Sequence, residues 1–159
     1  MRKTLILFLL SSCSLFFGKE GHESAKGSGY KIQFDSPDWI VKKDEQSDYV
    51  FENKNDGRIL LSNSFCKQFQ DRPLETLARK TFKTIGSFKA EKGDYTTFHN
   101  REAYRLDGHG KVDGVPVELH ILNTRRNNCY FDFVSITPEK SATDHALEFE
   151  KFLSSVVFQ

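Results

Sequence analysis

The sequence predicts an α+β domain: an antiparallel β-sheet, built as a meander of hairpins, flanked by two main helices. Three observations predict it. The stretch "EAYRLDGHGKVDGVPVELHILNTRRNNCYFDFVSIT" alternates apolar and polar residues about Asp113-Gly114, a strong hairpin signal. Two segments, "RPLETLARKTFKTIG" and "TDHALEFEKFLSSVVF", change to helical spacing. The order is therefore strands, helix, meander, helix, which suits an antiparallel sheet with helices packed on it.

Each element follows from its residues. "YKIQF" sets Tyr30, Ile32 and Phe34 against Lys31 and Gln33, and "SPDW" turns the chain into "WIV", which predicts two short strands. "DYVFENKNDGRILLSNSF" predicts a hairpin. A three-residue loop of Asn55, Asp56 and Gly57 would put Tyr49 and Phe51 on one face with Ile59 and Leu61, with Gly57 in the left-handed position. In the first helix Leu74, Leu77, Ala78, Phe82 and Ile85 form the apolar stripe. Pro73 suits its first turn, Asp71 is available as a cap, Gly86 suits the stop, and Arg79, Lys80 and Lys83 face solvent. "SFKAEKGDYTTFHN" gives no clear pattern.

In the meander, pairing Val112 with Val115 gathers Val115, Val117, Leu119 and Ile121 on one face with Val112, Leu106 and Tyr104. A second hairpin about Arg125 to Asn127 would oppose Ile121 to Phe131 and Leu119 to Phe133. The closing helix takes Ala142, Ala146, Phe149, Leu153 and Val156 as its stripe, with Ser141 or Thr143 as its cap. Most of the 21 aromatic residues (Phe 15, Tyr 5, Trp 1) fall at inward positions, so a Phe-rich core is the default over a ligand pocket.

The N-terminus carries a different signal. "MRKTLILFLLSSC" has basic Arg2 and Lys3, then an apolar run from Leu5 to Leu10, the layout of a secretory signal. That run is well short of the roughly 20 apolar residues a spanning helix needs. Phe16 and Phe17 are too bulky for ordinary cleavage nearby. "LSSC" resembles a lipobox, the bacterial lipoprotein signal, with Leu10, Ser11 and Ser12 before Cys13; the alternative is an incidental cysteine in a plain signal. The resemblance implies cleavage after residue 12 and acylation of Cys13, giving stable anchoring through several chains at about 0.8 kcal/mol per buried methylene. Ser14 after the cysteine implies, by the enteric sorting rule, the outer rather than the inner membrane. The expected organisation is a signal peptide over 1–12, an acylated N-terminus and flexible tether over 13–29, including "GKEGHESAKGSG" with His22 and Glu23 as solvated linker residues, and one globular domain over 30–159.

Charge and cysteines narrow the partners. Without Arg2 and Lys3, 21 basic residues oppose 22 acidic ones, a balance that gives no reason to seek nucleic acid or anionic lipid. Membrane contact is expected from the lipid on Cys13 alone. With Cys13 acylated in an oxidising envelope compartment, Cys66 and Cys129 form an even pair, and a disulfide between them is expected over two separate buried thiols.

The domain resembles the superfamily of photosystem PsbP, the Ran-binding Mog protein and bacterial DcrB-like lipoproteins. The residues that carry the resemblance are "IQFDSPDWIV", "VFENKNDGRILLS", "LETLARKTFKTI", "VDGVPVELHIL" feeding "CYFDFVSIT", and "FEKFLSSVVF". It implies an antiparallel sheet between helices that binds other macromolecules and shares no chemistry among members; partners do not transfer with a fold. A cystatin-like or other helix-on-sheet fold is the alternative.

One constellation could carry a ligand. The Asp113-Gly114 register sets His109 beside Glu118 and Asp107 beside His120, on the face opposite Val117 and Leu119, a square suited to Zn²⁺. The competing reading is a half-solvated polar face with ordinary ion pairs, and Gly108 and Gly110 invite a bulge that would dissolve the square. No Gly-x-Ser-x-Gly elbow and no phosphate-cradling loop is present, and His99 and His145 have no evident partner. The sequence thus predicts no catalytic residue and no cofactor. It points to a lipid-anchored envelope protein that binds a protein partner or supports envelope integrity, or else to a periplasmic metal- or small-ligand-binding module.

Overall fold

A computed structural model describes residues 29–159 apart from 70, 92 and 141–144, and the backbone alone of His145. The signal, Cys13, His22, Glu23, Ala142 and the candidate caps Ser141 and Thr143 lie outside the described residues.

Ten strands and two helices follow one another as β1 (Tyr30–Ile32), β2 (Trp39–Lys42), β3 (Tyr49–Asn53), β4 (Ile59–Cys66), α1 (Leu74–Ile85), β5 (Ser87–Ala90), β6 (Asp94–Phe98), β7 (Arg101–Val112), β8 (Val115–Arg126), β9 (Cys129–Pro138), α2 (His145–Ser154) and β10 (Val156–Phe158). The main sheet is antiparallel with order β2-β3-β4-β9-β8-β7-β5, and β6 also pairs with β7. β1 and β10 form a separate two-stranded ribbon. The α+β class is as the sequence predicts.

Both faces of this sheet are buried. On one, α1 lays Leu74, Leu77, Ala78 and Phe82 over Leu61, Leu106, Leu119, Ile121 and Val134. On the other, Phe149, Phe152 and Leu153 of α2, with Tyr30 and Val156 of the ribbon, cover Phe51, Leu60, Leu122, Phe131 and Phe133. Aromatic edges fill this second layer: Phe34 meets Trp39, Phe51 and Phe152 at ring-centroid distances of 5.6, 5.4 and 5.8 Å. A strand covered on both sides reads as a continuous apolar run, which is what "CYFDFVSIT" of β9 is.

Double coverage also moves two hairpin registers away from expectation. In the first, Val50 opposes Leu61 and Phe51 opposes Leu60, so Tyr49 and Phe51 lie on the face opposite Ile59 and Leu61. The loop has four residues, 54–57. Asn53 closes it by accepting the Asn55 N–H on Oδ1 at 2.9 Å and the Gly57 N–H on its carbonyl at 3.0 Å, and Gly57 takes φ 74° as expected. In the later hairpin, Asn127 and Asn128 both adopt positive φ (50° and 59°), a two-residue turn. Ile121 then opposes Val134 and Leu119 opposes Ile136, while Phe131 and Phe133 go to the α2 side. Shifting a register swaps faces. Here neither face is water, so apolar residues find a core either way.

Three smaller differences follow from local chemistry. No side chain caps α1: Pro73 holds the N-cap position, and Asp71 is exposed before it. The unpatterned segment supplies β5 and β6, both on β7. Ala146 is exposed, and Val156 belongs not to the helix but to β10, opposite Ile32. No described helix is long and apolar enough to cross a membrane.

Candidate functional site

The Asp113-Gly114 turn has φ 49° and 80° at its two residues and pairs Val112 with Val115, as the sequence predicts. It brings Asp107 opposite His120 and His109 opposite Glu118. The side chains do not converge into a square. His120 Nδ1 lies 2.8 Å from Asp107 Oδ1, its Nε2 is 3.9 Å from Glu118 Oε2, and its ring stacks on Phe149 of α2 at 6.0 Å. His109 turns the other way, with Nδ1 3.2 Å from Glu91 Oε1 just beyond β5. Among the described residues no group of three or more His, Cys, Asp and Glu side chains is placed to hold a metal. The reason is the coverage of this face: α2 takes the imidazole of His120 as packing surface. Gly108 and Gly110 make no bulge, because the β7–β8 register runs unbroken through both.

Cys66 and Cys129 are joined by a disulfide at the end of the β4–β9 pair, where they are direct register partners. Beside it the Lys67 N–H donates to the Asn128 carbonyl at 2.9 Å. His99, which had no evident partner in sequence, lies edge-on to Phe98 at 4.5 Å and to Phe158 at 5.3 Å.

Two features were not legible in the sequence. The first is a buried carboxyl. Asp132, 2% exposed, sits in the middle of the sheet beneath α1. The Tyr130 hydroxyl donates to its Oδ1, and the Thr81 hydroxyl donates to its Oδ2 at 3.2 Å. Asn123 Nδ2 donates to Tyr130 at 2.9 Å and to the Leu74 carbonyl at 3.1 Å, tying the sheet to the first turn of the helix. Burial pushes the Asp132 carboxyl up to about 7, against the lowering effect of its two hydrogen bonds, and burial with the neighbouring Asp132 raises the Tyr130 phenol well above its usual value. Through Thr81 this buried acid ties α1 to the middle of the sheet. Its signal was the one acidic residue inside an apolar strand, "YFDFV".

The second is a cleft of about 560 Å³ between β6 and the end of α2. Arg105 of β7 and Glu150 of α2 are ion-paired at its base, with Arg105 also 5.9 Å from the Phe149 ring. Thr96 and Phe98 of β6 and Leu153 of α2 form its walls. Among the described residues β6 pairs only with β7, so its outer edge over Tyr95–Phe98 offers backbone N–H and C=O groups to a partner. The short alternation in "DYTTF" was the signal that could have revealed this strand.

No family model matches the sequence, and no curated protein matches it. Solved structures do match the fold. LpqN of Mycobacterium tuberculosis, described as involved in cell envelope biogenesis, superposes with a TM-score of 0.62 at 9% identity over 88% of this chain and 87% of its own. The cyanobacterial PsbP protein of Synechocystis gives 0.57 at 17% identity over 89% and 96%. A Pseudomonas aeruginosa protein described as a putative regulator gives 0.52 at 11% identity over 87% and 86%. The chain therefore has a PsbP-like α+β fold, as its residues suggested. At these identities the likeness is one of fold.

Proposed function

We propose that this chain is a lipid-anchored cell-envelope protein whose PsbP-like domain is non-catalytic and binds a protein partner or supports envelope integrity. The observation that carries the reading is the division of its cysteines: Cys66 and Cys129 are joined, and Cys13 ends a basic, apolar, small-residue order resembling a lipobox. A disulfide suits an exported domain. The fold shared with LpqN, a protein of envelope biogenesis, supports the same compartment. Under this reading residues 1–12 are removed, Cys13 is acylated, 13–29 tether the domain, and 30–159 face the periplasm or the cell surface, with the outer membrane as the holding bilayer.

The partner half of the reading draws on the β6 edge and its cleft, since an extended segment can add to a free strand edge. Metabolic labelling with an alkyne fatty acid tests the anchor. Label is expected on the wild type and lost in Cys13→Ser, and a labelled or membrane-retained Cys13→Ser protein with its signal removed would overturn it. A photo-crosslinking residue in place of Thr96 tests the partner. One discrete protein adduct is expected, and its absence, with an adduct instead from positions on the far face, would move the partner elsewhere.

A further inference from the structure

We propose that the end of the domain bearing the β8–β9 turn rests on the anionic phospholipid headgroups of the membrane that holds it, so that the lipid does not act alone. This rests on the lipid-anchored reading above. The chain enters the domain at that end. The Gln159 N–H donates to the Gly29 carbonyl at 2.7 Å, and Tyr30 opposes Phe158. Arg126, the last residue of β8, lies with its guanidinium 5.1 Å from the Phe158 ring. Sixteen residue steps separate Cys13 from Gly29, which reach at most roughly 55 Å. That reach would let other faces approach the bilayer too, so it is the charge of the face where Gly29 emerges that selects it.

That face is basic although the domain is not. From Gly29 onward 19 Lys and Arg oppose 20 Asp and Glu. Around the β8–β9 turn, however, stand Lys31, Lys67, Arg72, Arg101, Arg125 and Arg126. Their placement is fixed by contacts: Lys67 by its bond to Asn128, Arg125 by donating Nη2–H to the Phe69 carbonyl at 3.0 Å, Arg72 over the Phe69 ring at 5.8 Å, and Arg101 opposite Phe98. None of the six is ion-paired with a carboxylate among the described residues. Lys31, Lys67, Arg72 and Arg101 are exposed. Against them this end offers Asp71 and Glu102, and the β2–β3 loop beside Ser62–Ser64 adds Asp44 and Glu45 with Lys43, while Asp48 accepts hydrogen bonds from the Tyr30 and Ser64 hydroxyls, so seven basic residues face five acidic ones. The turns at the far end mix Asp56, Asp113 and Glu139 with Lys54, Lys111 and Lys140.

The even overall charge therefore hides a polarity that the fold creates. Such attraction decays within a Debye length, about 8 Å at physiological salt, so it acts only on a domain already held near the bilayer. The tether supplies that proximity as a high effective concentration, under which a weak contact suffices.

Val157 and Val115 offer a matched test. They are 43% and 40% exposed; Val157 sits beside Lys31 at the basic end, and Val115 follows the Asp113-Gly114 turn at the other. The full-length acylated protein, carrying a photo-crosslinking residue at either position, is reconstituted into phosphatidylcholine vesicles with or without phosphatidylglycerol. Lipid adducts at position 157 are expected to exceed those at 115 by roughly fivefold or more on the anionic vesicles. The excess should vanish in high salt, on phosphatidylcholine alone, and in Lys67→Glu/Arg101→Glu, whose two side chains are exposed. Equal adducts at both positions on anionic vesicles would overturn the proposal, and so would adducts at 157 in cells to protein only, which would assign this end to a protein partner. Flotation reports the anchor separately: a chain that fails to float with either vesicle refutes acylation, whereas one that floats with equal adducts refutes only the docking.

Discussion

Asp132 and Asn123 are direct cross-strand partners under α1, and the hydroxyl of Tyr130 bonds both of them. The carboxyl of Asp132 holds its proton up to about pH 7 in the folded chain because it is buried, whereas an unfolded aspartic acid ionises near about 4. The native state then binds more protons than the unfolded state between those values, and stability falls as the pH rises through that window. It is full below about pH 4 and levels off above 7, with a loss on the order of a few kcal/mol from this group. Asp132→Asn removes the ionisation and places an amide beside Asn123, whose Oδ1 is buried without a hydrogen-bond partner. Denaturant unfolding at pH 5 and pH 8 should show the variant gaining on the wild type at the higher pH. An equal difference at both pH values would refute the account.

The bond between Cys66 and Cys129 spans a sequence separation of 63. Closing a loop of that length removes unfolded-state entropy worth about 4 kcal/mol in the chain-entropy model. Cys66→Ala/Cys129→Ala should therefore lower unfolding stability by roughly that amount, and reductant should do the same to the wild type while leaving the double variant unmoved. A double variant as stable as the wild type would show that the native state, not the unfolded chain, offsets the loss.

What the sequence made legible was set by turns and by period. Asp113-Gly114 fixes its register because both residues accept positive φ, and the α1 stripe at Leu74, Leu77, Ala78 and Phe82 matches the buried residues. Where it misled, the cause was the assumption of one wet face. Phe131 and Phe133 alternate with Tyr130 and Val134, and both sets are buried, so periodicity could not choose between them. The same assumption produced the metal square, since His120 looked solvated until Phe149 covered it. Lone charges in apolar strands, Asp132 above all, were visible but had no partner in sequence. Asp132 bonds Tyr130 two positions away on its own strand, but its other partner, Thr81, comes from α1, 51 positions away.

Arg58 is a second buried charge, placed just before β4, and its partners lie in its own loop and in α2. It is 5% exposed, at the end of the β3–β4 loop, where its Nε lies 2.8 Å from Asp56 Oδ2 and its Nη1 pairs with Glu148 of α2. Its guanidinium also lies 5.4 Å from the Trp39 ring. The planar fork thus fastens α2 through Glu148 to the β3–β4 loop, with Asp56 and the Trp39 indole face holding the guanidinium in place. Removing one partner of a buried pair costs about 3 to 5 kcal/mol, because the other charges stay behind. Arg58→Ala should destabilise by about that much and speed amide exchange in α2 more than in α1. Arg58→Lys should recover little, since an ammonium cannot bridge both carboxylates and stack. Full rescue by lysine would leave charge alone as the cause.

Gly108 lies under α1 where β5 crosses β7, opposite Ala90 and Leu119. A Cβ placed there would come within 2.5 Å of the Lys89 carbonyl and of the Phe82 ring. The ring can rotate, but the carbonyl belongs to the strand that β7 pairs with. Gly108→Ala must therefore push β5 or α1 outward, an overpacking that costs typically about 1 to 3 kcal/mol. Gly114→Ala, on an exposed turn with open space about its Cβ but φ 80°, isolates the backbone effect alone and serves as the comparison. Thermal unfolding of the two should differ in where the damage falls: faster amide exchange in β5 and α1 for Gly108→Ala, and in the β7–β8 turn for Gly114→Ala. If Gly108→Ala leaves β5 protected as in the wild type, the close approach is not what this glycine is for.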